Sequence, residues 1–195
     1  MLELFTSEHC PACPPADKAL EKLSEQNHII ALGCHVTYFS RQSDLGRGVC
    51  SQRQFNFAQQ LKQSSPFTPQ FIINGQHSAV GTNQSIISAA LLKGGADKVQ
   101  LINIQKKAPQ VFSYSLPFIE KNSSDLWLAL YKKPQKAGRR NFIHVVDVIL
   151  TLGSWDGSIK EEIISPAVRS DHQGFAIFAQ NKKTGKITAA GQYSL

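Results

Sequence analysis

The chain has 195 residues, 42% hydrophobic and 18% charged, a balance that buries a core without needing disulfides and excludes a disordered chain. Its longest apolar runs, such as His144 to Leu152, are too short and too polar for a transmembrane helix, so no membrane span is expected. With 21 Lys and Arg against 14 Asp and Glu the net charge is +7, but the densest basic stretch, Lys132, Lys133, Lys136, Arg139 and Arg140, has no RNA-stacking or helix-turn-helix signature; it reads as an exposed loop, and nucleic acid is not an expected partner.

Up to about Gly95 strand and helix alternate. "LELFTS" is a short strand, and "PPADKALEKLSEQ" sets Ala16, Ala19, Leu20 and Leu23 at helical spacing. "HIIALGCHVTYF" is a longer β-rich run, and "SQRQFNFAQQLKQ" puts Phe55, Ala58 and Leu61 on one helix face. "SSPFTPQFIING" ends as a strand in an Asn74-Gly75 turn, followed by a short strand from His77 to Val80. A helix over "NQSIISAALLKGG" closes the set, with Gly94 and Gly95 as its stop. One parallel crossover, a hairpin and a last helix imply a mixed sheet with flanking helices over residues 1–97.

After Asp97 the runs "VQLINIQ", "QVFSYSLPFIE", "DLWLALYKK", "FIHVVDVILTLGSW" and "FAIFAQNKKTGKITAAGQY" are strand-like, with Lys183-Thr184-Gly185 as a hairpin turn and no helical spacing. Residues 98–195 therefore read as a second, all-β domain, an antiparallel sandwich of about seven strands.

Cys10, Cys13, Cys34 and Cys50 all lie in the first quarter of the chain, an even number that suits an oxidising compartment. Cys10 falls at the N-cap or first turn of the first helix, where the helix dipole and free N–H groups favour a thiolate; Cys13, one turn in, is placed to resolve a mixed disulfide. Pro11, Pro14 and Pro15 are compatible with that helix start. A C-x-x-C between a strand and a helix in an α/β pattern reads as thioredoxin-like, and Pro69 before the third strand is where that fold carries a cis-proline against its cysteines, with Thr68 offering backbone groups to a substrate peptide. Glu3, mid-strand, is a candidate buried acid that moves protons for the dithiol, and otherwise an outward strand residue; His9 is a candidate stabiliser of the Cys10 thiolate, and otherwise a solvated turn residue.

Three classes of function stay open. The first is a thiol–disulfide oxidoreductase acting on protein thiols or disulfides, with no cofactor. The second is a zinc or cuprous copper protein ligated by Cys10, Cys13, Cys34 and Cys50, with His35 nearby, although only one close-spaced ligand pair is present. The third is a non-catalytic interaction protein in which Cys10–Cys13 is a permanent disulfide. In the second half Asp147, Asp156 and Asp171 have no companion nucleophile, and His144 and His172 are isolated in sequence.

"LELFTSEHCPACPPAD", "HVTYF", "RQFNFAQ", "FTPQFIING" and "AGRRNFIHVVDVILTLGSWDG" together resemble the successive motifs of a bacterial secreted family catalogued as a domain of unknown function, number 1223. The resemblance implies a thioredoxin-like N-terminal domain, a C-terminal β-sandwich, and export to the periplasm or beyond, with Met1 standing where a leader has been removed. The family pattern expects no cysteine at Cys34 or Cys50. Two cysteines gained together imply a Cys34–Cys50 structural disulfide, which by closing its loop contributes up to about 3 kcal/mol.

Overall fold

The computed structural model of the chain describes residues 1–39, 45–96 and 99–195. The domain boundary expected at 97/98 and the middle of the loop between Cys34 and Cys50 lie outside them. The chain is a mixed α/β protein. Its first sheet contains β1 (Leu2–Thr6), β2 (Ala31–His35), β3 (Gln70–Ile73) and β4 (His77–Val80), in the order β2-β1-β3-β4. β1 runs parallel to β2 and antiparallel to β3, and β3 turns into β4 through Asn74 and Gly75, both at positive φ. The second strand is shorter than the sequence implies: Val36 N–H still reaches Thr6 O, but Thr37 N–H turns away to Ser51 Oγ at 2.8 Å, so the ladder ends where β1 ends.

Helices α1 (Pro14–Ser24), α2 (Gly48–Gln60) and α3 (Gln84–Ala96) flank this sheet. Leu2, Leu4, Phe71 and Ile73 pack with Ala16, Ala19 and Leu20 of α1 and with Ile87 and Ala90 of α3. Phe5, Leu32 and Ile72 face the other way, towards Cys50 and Phe57 of α2. α3 runs through Gly94 and Gly95 to Ala96, so the glycines do not stop it.

In α2 the inner face is not the one hydrophobicity marks. Cys50, Arg53, Gln54, Phe57 and Ala58 are buried, at the i, i+3, i+4, i+7, i+8 spacing of one stripe, whereas Phe55 is 47% exposed. Two polar residues sit in that stripe because each meets its partners there. Arg53 donates to both carboxylate oxygens of Glu3 on β1, and Gln54 donates to Phe67 O at 2.7 Å and to Gln70 Oε1 at 2.8 Å.

From Gln100 on, the described residues form strands only: β5 (Gln100–Leu101), β6 (Asn103–Ala108), β7 (Val111–Leu116), β8 (Ser124–Lys132), β9 (Gln135–Ala137), β10 (Arg140–Phe142), β11 (Val146–Trp155), β12 (Lys160–Ile164), β13 (His172–Asn181) and β14 (Ile187–Ser194). There are ten strands rather than seven, because β5, β9 and β10 are two or three residues long and are defined by a partner rather than by local pattern. They build a five-stranded sheet, β11-β8-β13-β14-β5, a three-stranded sheet, β12-β7-β6, and the β9–β10 hairpin.

The middle strands of the five-stranded sheet, β8 and β13, are covered on both faces, which explains the near-continuous apolar run of β13. Leu126, Leu128, Leu130, Phe175, Ile177 and Ala179 join Phe112, Tyr114 and Leu116 of the three-stranded sheet. The alternate residues Ala129, Tyr131, Ala176 and Phe178 join Phe5, Leu32 and Phe57 in one core shared between the two halves of the chain. The second half also extends the edge of the first sheet. Gly33 N–H donates to His144 O at 2.9 Å, His144 Nδ1 lies 2.9 Å from Ala31 O, and a side chain on Gly33 would collide with Ile143 O. Among the described residues no helix is long and apolar enough to cross a membrane.

His172 and Asp147, isolated in sequence, are partners in space. Asp147 on β11 accepts from Arg47 just before α2 (Nε 3.1 Å, Nη2 3.0 Å), from Arg169, and from His172 Nε2 at 3.2 Å, with Lys132 Nζ 3.7 Å away. His172 Nδ1 accepts from Arg169 N–H at 3.0 Å, which fixes the ring proton on Nε2. Burial pushes the Asp147 carboxyl up, but the hydrogen bonds from Arg169, His172 and Arg47 and the charge of Lys132 outweigh it and hold the group well below the usual carboxylate range. A depressed carboxylate stabilises the fold above its unfolded-state pKa of about 4, and the contribution is lost as pH falls through the folded value. Asp147→Asn should therefore cost about 1–2 kcal/mol at pH 7, since it removes the charge that Arg47 and Arg169 meet and weakens the hydrogen bond to the buried His172. Urea unfolding at a series of pH values should show that gap narrowing below about pH 4.

Candidate functional site

Cys10 and Cys13 form a disulfide, with Cα atoms 5.4 Å apart, at the junction of β1 and α1. Both cysteines are buried, at 1% and 0% exposure, while Pro11 and Ala12 between them are exposed. The structure shifts the cysteines one turn from the expected positions: Cys13 is the N-cap of α1, and Cys10 lies in the preceding turn, its carbonyl accepting from Cys13 N–H at 3.3 Å. The prolines cause this. Pro14 and Pro15 are N1 and N2 and have no N–H, so the helix ladder opens with Ala16 and Asp17 donating to Cys13 O. Two donors that an ordinary helix start would offer a thiolate are thus missing, and Cys10 N–H is already bonded to Ser7 O at 3.1 Å.

The Thr68–Pro69 peptide is cis, and Pro69 is buried at the start of β3. Gly81 holds this proline next to α1: its N–H donates to Pro69 O at 2.9 Å, and a Cβ on Gly81 would lie 2.7 Å from Ala16 Cβ and 2.8 Å from Pro69 Cβ. The C-x-x-C helix and the Thr68–Pro69 loop therefore both pack against Gly81, one on each side of the space a side chain there would fill. Thr68 Oγ1 is buried without a hydrogen-bond partner among the described residues.

Glu3 is buried mid-strand, on the sheet face opposite α1, where Arg53 takes both of its oxygens. Arg53 in turn donates to Gln180 Oε1 at 3.0 Å and lies over the rings of Phe57 and Phe178, 4.8 and 4.9 Å from their centroids. His9 is exposed and lies 3.3 Å from the Glu8 carboxylate.

Two residues meet at this junction that the sequence did not place there, Asp17, which it did not single out, and Arg140, which it read as part of an exposed basic loop. Asp17, one turn beyond Cys13, accepts from Thr6 Oγ1 at 2.8 Å and from Arg140 Nη2 at 2.5 Å. Burial raises its carboxyl above the ordinary value, against the pull of those two hydrogen bonds. Arg140, on β10, also donates to Glu8 O at 2.6 Å and Ser7 O at 3.3 Å, in the segment that leads into Cys10. In sequence Asp17 looks like a helix-dipole complement in a first turn, and nothing local in "AGRRNF" links it to residues 123 positions away.

Behind the helix, His35, Asp17 and Phe142 line a cavity of about 10 Å³. His35 Nδ1 is buried without a hydrogen-bond partner among the described residues, and its ring meets Phe142 edge-on, 4.9 Å between centroids. Burial, with the charges of Arg140 and Arg47, pushes the His35 pKa down to about 3.

Cys34 and Cys50 also pair, as expected, with Cα atoms 5.3 Å apart, tying β2 to the first turn of α2 inside the shared core. All four cysteines being in disulfides, the oxidised protein presents no thiolate ligand. Among the described residues no group of three or more His, Cys, Asp or Glu is placed to hold a metal ion.

A family model described as a protein of unknown function, DUF1223, matches residues 1–180. No curated protein matches the sequence significantly. The crystal structure of protein AGR_C_4864 from Agrobacterium tumefaciens is similar over 100% of this chain and 92% of its own, with 25% identity and a TM-score of 0.86.

Two expectations follow from the packing. Gly81→Ala should destabilise the protein by about 1–3 kcal/mol in chemical denaturation, because the methyl has to push Ala16 and Pro69 apart. Gly48→Ala, where an added Cβ meets nothing within 4 Å among the described residues, should be neutral or slightly stabilising. His35 is neutral in the fold, so its contribution is complete above the unfolded value near 6.5 and is lost as pH falls towards about 3. In a His35→Gln variant, stability should fall less steeply between pH 6 and pH 4 than in the wild type.

Proposed function

The chain belongs to the DUF1223 family, and from that membership and the geometry of the Cys10–Cys13 junction we propose that it is a thiol–disulfide oxidoreductase acting on other proteins in an oxidising, exported compartment. The single observation that carries the reading is that Ala16 of the C-x-x-C helix and Pro69 of the Thr68–Pro69 loop pack against the same residue, Gly81. Residues 1–97 then act as a thioredoxin-like unit and residues 98–195 as a β-sandwich that shares its core and holds β10 against the dithiol.

In the oxidising direction a substrate thiolate attacks Cys10 Sγ. The Cys10–Cys13 bond breaks, its electron pair leaves on Cys13 Sγ, and Cys13 takes up a proton. The second substrate thiol, having lost its proton, attacks the substrate sulfur of the mixed disulfide; the substrate disulfide forms, the bond to Cys10 breaks, and Cys10 Sγ leaves with its electron pair and takes up a proton. Two electrons and two protons pass from the substrate dithiol to the protein; the reverse sequence reduces a substrate disulfide, and the relative potentials set the direction. Asp17, raised by burial and one turn from Cys13, is the nearer candidate for the Cys13 proton than Glu3, which Arg53 holds across the sheet. Thr68 and Pro69 present backbone to the substrate, and His9 supplies positive charge beside Cys10 when protonated.

The burial of both sulfurs favours a second reading, in which Cys10–Cys13 is a permanent staple of an interaction protein. A redox titration with mass mapping of the disulfides separates the two. The oxidoreductase reading expects a Cys10–Cys13 potential between about −120 and −270 mV, and a Cys13→Ser variant that accumulates a mixed disulfide on Cys10. A potential below about −300 mV, with no trapped species, would sink it in favour of the staple.

A further inference from the structure

The basic stretch that reads as a solvated loop in sequence is carried by the fold to the dithiol. The β9–β10 hairpin pairs Lys136 with Asn141 and Ala137 with Arg140, closing over Gly138 at a φ of +58°. Its inner face is anchored by Arg140, on Ser7, Glu8 and Asp17, and by Phe142 against His35. Lys136 and Asn141 therefore face outward, and Arg139 occupies the tip; all three are exposed, as is Lys133 at the base. Arg140, next to that tip, grips the carbonyl two residues before Cys10, so the tip stands beside the C-x-x-C turn.

Among the described residues these cations have no counter-charge within ion-pair distance. Among the described residues Lys133, Lys136 and Arg139 make no ion pair, whereas the acids around them are engaged: Glu8 by His9, Asp17 by Arg140, Asp147 by Arg47 and Arg169, and Asp171 by Lys132 and Arg169. The rest of the chain adds to the same sign, for a net +7.

We propose that the polypeptide exchanging disulfides at Cys10–Cys13 is acidic around its cysteine and docks on the outer face and tip of the β9–β10 hairpin, through Lys136 and Arg139 with Lys133 behind them. This rests on the oxidoreductase reading above. Exposed, unpaired cations beside a reacting centre act through long-range steering and correct approach, a term that raises association rates and is screened by salt.

The test uses the full oxidised protein and two synthetic peptides with one cysteine each, flanked by Asp and Glu in one and by Lys and Arg in the other. Each peptide's rate of mixed-disulfide formation is divided by its own rate with neutral hydroxyethyl disulfide, which removes the effect of flanking charge on the thiol pKa. At about 0.01 M ionic strength the acidic peptide should react about tenfold or more faster than the basic one, and the two should converge near 1 M salt, where the screening length is about 3 Å. The double variant Lys136→Glu/Arg139→Glu should lose the acidic advantage while keeping its rate with uncharged 2-mercaptoethanol. Equal normalised rates at low salt, or an advantage that survives in the double variant, would overturn the docking proposal. If 2-mercaptoethanol cannot open Cys10–Cys13 at all, the redox reading fails, and a titration of the acidic peptide with serine for cysteine, followed by fluorescence anisotropy, still decides the surface: salt-sensitive binding lost in the double variant supports it, and no binding overturns it. Adsorption to vesicles rich in phosphatidylglycerol, with no discrimination between the peptides, would assign the cations to a lipid surface instead.

Discussion

The Arg53 guanidinium holds together what would otherwise be two separate layers. It binds both oxygens of Glu3 in β1, reaches Gln180 in β13, and lies over one aromatic ring from each side of the junction, Phe57 from α2 and Phe178 from the five-stranded sheet. A buried charge of this kind has to be fully paired, because a single missing partner leaves an ion in a low-dielectric interior. Its partners come from both halves of the chain, so the pair sets the position of one half against the other. The shared core, from Phe5 and Leu32 to Ala176 and Phe178, then fills the space around that fixed point.

The same division of labour recurs towards the edges. Arg47 from the first half meets Asp147 of the second, and Arg140 from the second meets Asp17 of the first. Each is a partly buried guanidinium–carboxylate pair, in a geometry that constrains orientation as well as distance. Between them the His144 segment extends the edge of the first sheet, so backbone pairing, side-chain pairing and apolar packing all hold the two halves together. One consequence is local to the C-x-x-C: the segment entering it is held by a residue of a hairpin more than a hundred positions later in the chain.

Around Cys10–Cys13 the chemistry is shaped by what the prolines remove as much as by what the helix offers. With Pro14 and Pro15 at N1 and N2, the helix start has a dipole but fewer N–H donors, and the charged groups nearby come from Asp17, Arg140 and His9. Gly81 is the other constraint, since a side chain there would collide with both Ala16 and Pro69.

Much of this was legible in the chain itself. The strand–helix order of the first half, the Asn74-Gly75 and Lys183-Thr184-Gly185 turns and the absence of helix after residue 100 among the described residues follow from local pattern, because periodicity and turn chemistry act over a few residues, whereas the pairing of Cys34 with Cys50 came from the family resemblance. The inner face of α2 was misread from Phe55, since Arg53 and Gln54 look like surface residues until Glu3, Phe67 and Gln70 are brought to them. The short strands β5, β9 and β10 were missed because two or three residues carry no period of their own. By itself, then, the sequence determined the elements and placed a dithiol at a strand–helix junction. Only the tertiary structure decided which polar residues are buried and what surrounds that dithiol, because Glu3 with Arg53, Asp147 with His172 and Asp17 with Arg140 are contacts between distant segments, and a contact of that kind leaves no periodic trace in either one.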